Sequence, residues 1–392
     1  MTADTTEPSD ANRNSSFVVF APFFPPAVNG GGPIRSLAAL VSTSPLPGRV
    51  ATLTSDRDLG ASVHLPITSN AWTSWNGHRL YYGSVDRPRE LMRLMLAATR
   101  LNYNVYYLNS FFDWRFSLVP QLVASMRRDR PAILLAPRGE MGAGALSRRS
   151  LKKQVLIALY KLVGQHKRVT FHATGPDEAR DIRGTFGSHV KIVTRTNQTL
   201  LPQKAVQTPD PPRVRLIFAG RVVPHKGLLT VLEALRDITP RILLTVIGPE
   251  EDEGYARQCR AVAGELEHDV QFEGSMPHET ILAEMSESTC LVLPTAGENF
   301  GHVLAEALSM SCPVLVSDST PWSETIASHG AGQVLADSQD VLEWRAAIQG
   351  LIGSSVLERD ATRAGAAACY NEWQQSQGQH LFDIYDQETA PG

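Results

Sequence analysis

The stretch GENFGHVLAE (residues 297–306) sets two carboxylates, Glu298 and Glu306, eight positions apart, with Phe300-Gly301 between them. A carboxylate beside a sugar accepts hydrogen bonds from two hydroxyls, each worth roughly 1.5–3 kcal/mol when charge-assisted. CLVLPT before the stretch reads as a strand, and HVLAEALSM within and after it reads as a helix. AGENFG is then the loop at the strand's carboxyl end, and Gly301 stands at the helix N-terminus. Glu306 lies one turn into that helix, from where it can reach a vicinal diol such as a ribose. The plainer alternative makes Glu298 a helix cap and Glu306 a surface residue. Leu304, Ala305, Ala307 and Leu308 weigh against it, because a glutamate among such neighbours calls for a designated partner.

A second stretch, GRVVPHKG (220–227), follows another strand. Gly220 closes the strand, Arg221 and Lys226 come within six residues, and Gly227 opens a helix. Glycine lets the backbone come close to a ligand. A helix N-terminus offers free N–H groups and the positive end of a dipole. One guanidinium fork and one ammonium beside it suit a diphosphate. An ordinary strand-to-helix loop with solvated basic residues fits these eight residues equally well.

The elements that must position these groups alternate along the chain. In the first half the strand-like runs are 17–24, 49–56, 79–84, 104–110, 132–137, 168–175 and 190–195. Helical patterns such as 88–100 and 151–164 separate most of them. Strands apolar throughout and separated by helices indicate a parallel sheet covered on both faces. QTLLPQKAVQTPDPPR (198–213) holds four prolines and no periodicity, and reads as a linker. Beyond it the alternation restarts, with strands near 215–220, 242–248, 270–275, 290–295 and 313–318. Helices are expected from about 227, at 253–267, at 279–288 and from about 302, with a terminal helix over 371–388.

The expected fold is therefore α/β, with two doubly wound Rossmann-like domains facing a central cleft. A tail (1–16), a first domain (17–203), a second domain (204–370) and the terminal segment (371–392), packing back toward the first domain, divide the chain. In open α/β sheets ligands sit outside the carboxyl ends of the strands. Neither half has a GxGxxG after its first strand, and Gly30-Gly31-Gly32 does not fit that spacing, so a nicotinamide or flavin site is disfavoured.

Composition narrows the class further. The chain has 392 residues, 43% hydrophobic and 20% charged, enough for two packed cores. Four scattered cysteines without a CxxC pair argue for reduced thiols rather than a disulfide framework or a cysteine zinc site. Residues 1–16 lack a basic start and an apolar run, unlike a signal peptide. No apolar stretch reaches the length of a membrane span. Through Gln203 the chain carries 25 Lys+Arg against 13 Asp+Glu, a balance of +12; the remainder carries 12 against 27, a balance of −15. The basic half meets something anionic, or the two domains attract each other.

Taken together in order, GRVVPHKG, IGPE (247–250), VQFEGSMP (270–277) and LVLPTAGENFGHVLAEALSMSCPVLVSD (291–318) resemble the retaining GT-B glycosyltransferases of "group 1", family GT4. FFPPAVNGGGP (23–33), APRGEMGAGAL (136–146) and FHATGPDEARDI (171–182) extend the resemblance over nearly the whole chain. It implies transfer of a hexosyl group from a UDP- or GDP-sugar to a saccharide or lipid-linked acceptor, with retention, in bacterial polysaccharide or glycoconjugate synthesis. By position it implies that Arg221 and Lys226 stabilise the departing diphosphate, that Glu298 holds donor-sugar hydroxyls and that Glu306 binds the ribose. Asn299, Phe300, Gly301 and His302 would line the sugar–phosphate turn, beside Gly220, with Gly31, Gly32 and Arg138 from the first domain. Cations fixed at the diphosphate act where charge grows in the transition state, so neither metal nor cofactor is expected. Asp56-Arg57-Asp58 has the form of a metal-binding DxD, but it follows a first-domain strand.

One departure stands out. Many relatives place a histidine after the strand that here ends in APRG, where this chain has Arg138, and an arginine cannot act as a base. His172 in FHAT reads as structural. Without a side-chain base, the leaving phosphate would accept the acceptor's proton, as the resemblance allows.

The segment 146–168 is basic: no acidic residue occurs from Met141 to His172, and Arg148, Arg149, Lys152, Lys153, Lys161, Lys167 and Arg168 surround the apolar run 155–160. Such a helix can lie on an anionic membrane or pack as a solvated helix on the sheet. Peripheral membrane contact and a cytoplasmic location, at the inner face of the plasma membrane, are the corresponding expectations. No nucleic-acid motif is present. A sugar-nucleotide epimerase or hydrolase of this architecture would need further acidic or histidine groups, and a non-catalytic binding module would not need the full Arg/Lys/Glu/Glu set.

Overall fold

The computed structural model describes residues 15–46, 48–142, 150–202 and 213–389. Most of the linker (203–212), most of the N-terminal tail and the start of the basic segment, with Arg148 and Arg149, lie outside them. The chain divides into two units, one ending at Leu200 and taking the chain up again from Gly378, the other Leu201–Gln377.

The first unit is built on eight strands: β1 (Phe17–Ala21), β2 (Val50–Ser55), β3 (Ala71–Trp75), β4 (His78–Gly83), β5 (Val105–Leu108), β6 (Ala132–Leu135), β7 (Val169–Ala173) and β8 (Lys191–Thr194). Their order is β3-β4-β2-β1-β5-β6-β7-β8. All pairs are parallel except β3 with β4. Alternate residues of β1 serve opposite faces, as the twofold period of a strand requires: Val18 and Phe20 join one core, Phe17 and Val19 the other. The all-parallel expectation fails at β3, which sequence reading passed over. β3 is short and half exposed, and Asn76-Gly77, both at positive φ, turn it back into β4. That dipeptide is the common signal of a two-residue hairpin.

The second unit has six strands: β9 (Arg215–Ala219), β10 (Leu243–Ile247), β11 (Asp269–Gly274), β12 (Cys290–Leu293), β13 (Val314–Ser317) and β14 (Gly332–Leu335). All are parallel, in the order β11-β10-β9-β12-β13-β14. This is the doubly wound order 3-2-1-4-5-6, whose switch point lies between its first and fourth strands, here β9 and β12. Strand β14 extends the sheet beyond the sequence expectation.

The expected single helix over 371–388 is corrected to two elements. Helix Val356–Gln375 belongs to the second unit, and helix Leu381–Thr389 to the first. Between them Arg195 donates from Nε to the Gln379 carbonyl (2.8 Å) and from Nη2 to that of Gly378 (3.3 Å). These carbonyls satisfy side-chain donors instead of continuing a helical ladder. Phe382 of the last helix stacks on Phe17, centroids 3.9 Å apart, which fixes the helix to the first unit's sheet.

Candidate active site

The residues singled out in the second unit gather at the carboxyl ends of β9 and β12, the two strands flanking the switch point. After β9 the chain makes a short turn, Pro224–Lys226, and Gly227 then opens helix Leu228–Leu235. Gly227 has φ 74°, and a Cβ on it would lie 2.1 Å from the carbonyl oxygen of Pro294. The loop after β9 thus lies directly against the loop after β12, and the contact leaves no room for a side chain. Hydrogen bonds join the two loops: Ala296 N–H donates to the His225 carbonyl (2.8 Å). Glu298 N–H donates to the Ser319 carbonyl (3.0 Å), tying the same loop to the one after β13.

This bracing brings Lys226 Nζ into an ion pair with Glu298 Oε1, although 72 residues separate them. The side chains are 13% and 12% exposed, so both charges are sheltered and neighbouring. An ammonium and a carboxylate side by side can serve a ligand with an anionic end and a hydroxylated end. Arg221 is not brought to this pair. Its guanidinium donates to Glu251 Oε2 at 2.8 Å, and both partners are about half exposed. An exposed pair of this kind is worth roughly 0.2–1 kcal/mol and is readily exchanged. Glu251 was missed in the sequence reading, since no spacing rule links it to Arg221.

Beyond Glu298, Phe300 turns inward and is buried. Its carbonyl accepts from Trp322 Nε1 at 2.6 Å, and its ring meets those of His302, Trp322 and Trp373. Asn299 beside it is exposed. Gly301, φ 77°, is the N-cap of helix His302–Ser309. The left-handed conformation there lets the chain pass from loop to helix without a Cβ penalty. Glu306 is 3% exposed in this helix, so the surface alternative for it is excluded. Its Oε1 lies 3.5 Å from Nε2 of His278, which sequence reading did not single out.

In the first unit, Gly31 (φ 63°) is the N-cap of helix Gly32–Ser42, after β1. The preceding loop is held by Asp58, whose carboxylate accepts from the N–H groups of Val28 (2.8 Å) and Asn29 (3.1 Å). Asp56 is buried and accepts from the hydroxyls of Ser69 and Ser84, both at 2.6 Å, with His64 Nδ1 at 3.0 Å. Burial pushes its carboxyl up, but the two serine hydroxyls and His64 outweigh that and leave it below the ordinary value. The DxD-like pair is therefore occupied in fastening loops. Among the described residues no three His, Cys, Asp or Glu side chains gather as a metal site.

Arg138 follows β6 with φ 57°. Its guanidinium is engaged within the first unit: Nε donates to Asn109 Oδ1 (2.6 Å), Nη2 to the Tyr107 hydroxyl (2.8 Å) and Nη1 to Asn197 Oδ1. The next N–H, of Gly139, donates to Glu178 Oε1 at 2.6 Å, and Glu178 also accepts from Thr174 N–H at 2.8 Å. Arg138 thus ties the loop after β6 to β5 and to the loops after β5 and β8, and Glu178 ties it to the loop after β7. His172, buried beside them, sits 3.0 Å from the Tyr107 hydroxyl and 2.9 Å from the Arg195 carbonyl. Burial, then the charge of Arg138, pushes His172 down to about 3, and burial pushes Tyr107 up to about 12. The imidazole is neutral and enclosed, in keeping with the structural role expected of it.

With the geometry in place, comparison with known proteins bears on the second unit and on the fold. The model of "Glycosyl transferases group 1" matches residues 202–367. The second unit is a group 1 glycosyl transferase domain. A phosphatidyl-myo-inositol mannosyltransferase of Mycobacterium tuberculosis is 30% identical over 161 residues, 40% of this chain and 41% of that one. The chain thus spans about two fifths of the length of the first curated relatives it matches. HepE of Anabaena, solved with UDP and glucose, matches with a TM-score of 0.71 at 14% identity over 96% of this chain and 98% of that one. Sucrose-phosphate synthase from Thermosynechococcus elongatus matches with a TM-score of 0.71 at 16% identity, over 96% and 100%. The fold is GT-B, with the group 1 domain as its second unit.

Proposed function

We propose that the protein transfers a hexosyl group from a UDP- or GDP-sugar to a saccharide or lipid-linked acceptor, retaining anomeric configuration, in bacterial polysaccharide or glycoconjugate synthesis. The observation that carries this reading is the Lys226–Glu298 pair at the switch point of a group 1 domain. Lys226 would hold the diphosphate and stabilise it as it leaves, where transition-state charge accumulates. Glu298 would accept hydrogen bonds from donor-sugar hydroxyls, and Glu306 from the ribose. Arg221 would leave Glu251 to join the diphosphate, at the small cost of an exposed pair. Asn299, the backbone around Phe300, Gly301 and His302, and Gly220 would line the donor.

The reaction needs no metal in this reading, because Lys226 and Arg221 supply the positive charge. With Arg138 engaged by Asn109, Asn197 and Tyr107 and His172 enclosed, the acceptor hydroxyl would add to the anomeric carbon as the carbon–phosphate oxygen bond breaks. The departing phosphate oxygen would take the proton. Both the enzyme and its acceptor would work at the cytoplasmic face of the plasma membrane. Helix Ser150–Leu162 supports this, because Leu151, Val155, Leu159 and Leu162, spaced four, four and three apart, are all more than half exposed. Ile157 and Tyr160 of the same helix are buried. Exposed Lys152 and Lys161 flank the outward stripe, a pattern suited to an anionic bilayer surface.

The test is incubation with UDP- and GDP-sugars in excess chelator, with and without saccharide and lipid-linked acceptors. Acceptor-dependent nucleotide release, with a product whose anomeric proton matches the donor's configuration, is expected. Acceptor-independent conversion would identify an epimerase or hydrolase instead. Among the described residues no helix is long and apolar enough to cross a membrane.

A further inference from the structure

Glu306 raises a physical problem that its position in the helix does not solve. Its side chain is almost wholly buried between Ala305 and Ala307, in a helix whose Leu304 and Leu308 are fully enclosed. A buried carboxylate needs compensating partners, and a carboxylate that is to grip a diol also needs a fixed orientation. The glutamate side chain has three rotatable bonds, and helix geometry alone does not choose among their settings.

A second element approaches it. His278 is the first residue of helix His278–Glu287, which follows β11 and packs beside helix His302–Ser309. Its Nε2 is shielded from solvent and stands 3.5 Å from Glu306 Oε1, within ion-pair range, while the side chain as a whole is 30% exposed. The imidazole thus faces water on one side and approaches the enclosed carboxylate on the other, with no hydrogen bond between Nε2 and Oε1 in this structure. An imidazole N–H, neutral or protonated, can hold one carboxylate oxygen and so fix the direction of the other. The residue is set 28 positions upstream of Glu306 and on another helix, so rigid packing between the two helices would carry the alignment.

We infer that His278 is a positioning residue for Glu306: it sets the carboxylate for the ribose hydroxyls of the donor and thereby sets the preference for a ribonucleotide. The inference rests on the donor-site reading above, in which Glu306 binds ribose. On that basis His278 acts on nucleotide binding rather than on the bond-breaking step.

The experiment measures dissociation constants by calorimetry for UDP, GDP and ADP, and then for the 2′-deoxy and 3′-deoxy forms of whichever binds most tightly. It uses the full chain and its H278A, H278Q and E306A variants. The wild type should prefer the ribonucleotide by about tenfold, the scale of one charge-assisted hydrogen bond. E306A should abolish that preference. H278A should reduce it at least threefold while leaving deoxynucleotide affinity unchanged, a selectivity that general loosening of the fold would not produce. H278Q, which keeps a donor at the same reach, should restore it. In turnover, H278A should raise KM for the donor with kcat nearly unchanged. If E306A loses the preference and H278A keeps it in full, His278 has no positioning role. If E306A keeps the preference, or none of the three nucleotides binds, the donor-site reading fails and the inference falls with it.

Discussion

At the scale of single residues, the chain uses its charged groups in two ways. Lys226 and Glu298 are sheltered and pair with each other, whereas Arg138, Glu178 and Asp58 spend their hydrogen bonds on holding loops. Each of the two residues was legible in the sequence, because each stands in the loop after a recognisable strand, but their pairing was not. The sequence also did not reveal that Arg138 is taken up by Asn109, Asn197 and Tyr107, nor that Arg221 pairs with Glu251. Those partners come from loops whose contacts no local spacing encodes. His172 carries a prediction at this scale. Its folded value near 3 lies below the ordinary histidine value of about 6.5, so between those limits the unfolded chain binds the extra proton. Stability is therefore full above about pH 6.5 and falls as pH drops toward 3, by up to about 1.4 kcal/mol per pH unit from this group. Urea unfolding of wild type and H172N between pH 4 and 7.5 should show a shallower acid loss in the variant. Equal slopes would show that His172 contributes nothing to the acid limb.

At the scale of elements, strands buried on both faces were the easiest to read. β1 and β12 are apolar from end to end, and β9 and β13 are so except for a terminal Arg215 and Ser317, so they stand out wherever helical patterns separate them. The edge hairpin was overlooked because Ala71–Trp75 has no continuous apolar run, although Asn76-Gly77 announced its turn. The C-terminal segment 371–388 was read as one helix, but it holds the end of one helix and most of another. Side-chain donors from Arg195 bind the chain between them, and they lie far away in the sequence. Helix Ser150–Leu162 shows what amphipathic reading alone leaves out. The run 155–160 looked uniformly apolar, but Ile157 and Tyr160 face the core and Val155 and Leu159 face outward. We expect the variant L151S/V155S/L159S/L162S to fold, since these side chains are exposed, and to lose sedimentation with vesicles containing anionic lipid at low salt. Wild type should bind such vesicles and not purely neutral ones. Equal binding of wild type to both, or full binding by the variant, would remove the membrane role.

At the scale of the whole molecule, the two units are built on different sheets, of eight and six strands. The group 1 domain supplies the doubly wound order and its switch point, with the Lys226–Glu298 pair beside it. The first unit supplies a basic surface and a set of loops braced by buried carboxylates. The overall α/β alternation was written plainly in the sequence. Pairings that depend on side chains from distant loops were not, since they are set by packing. The central claim is that Lys226 and Glu298 form the two ends of a sugar-nucleotide site. Its most direct test is calorimetric comparison of nucleoside diphosphate, free nucleoside and intact sugar nucleotide on wild type, K226A and E298A. K226A should weaken the diphosphate at least tenfold and leave the nucleoside unchanged. E298A should weaken only the added grip on the sugar nucleotide. Undiminished binding in both variants, or equal loss of all three ligands, would contradict the account.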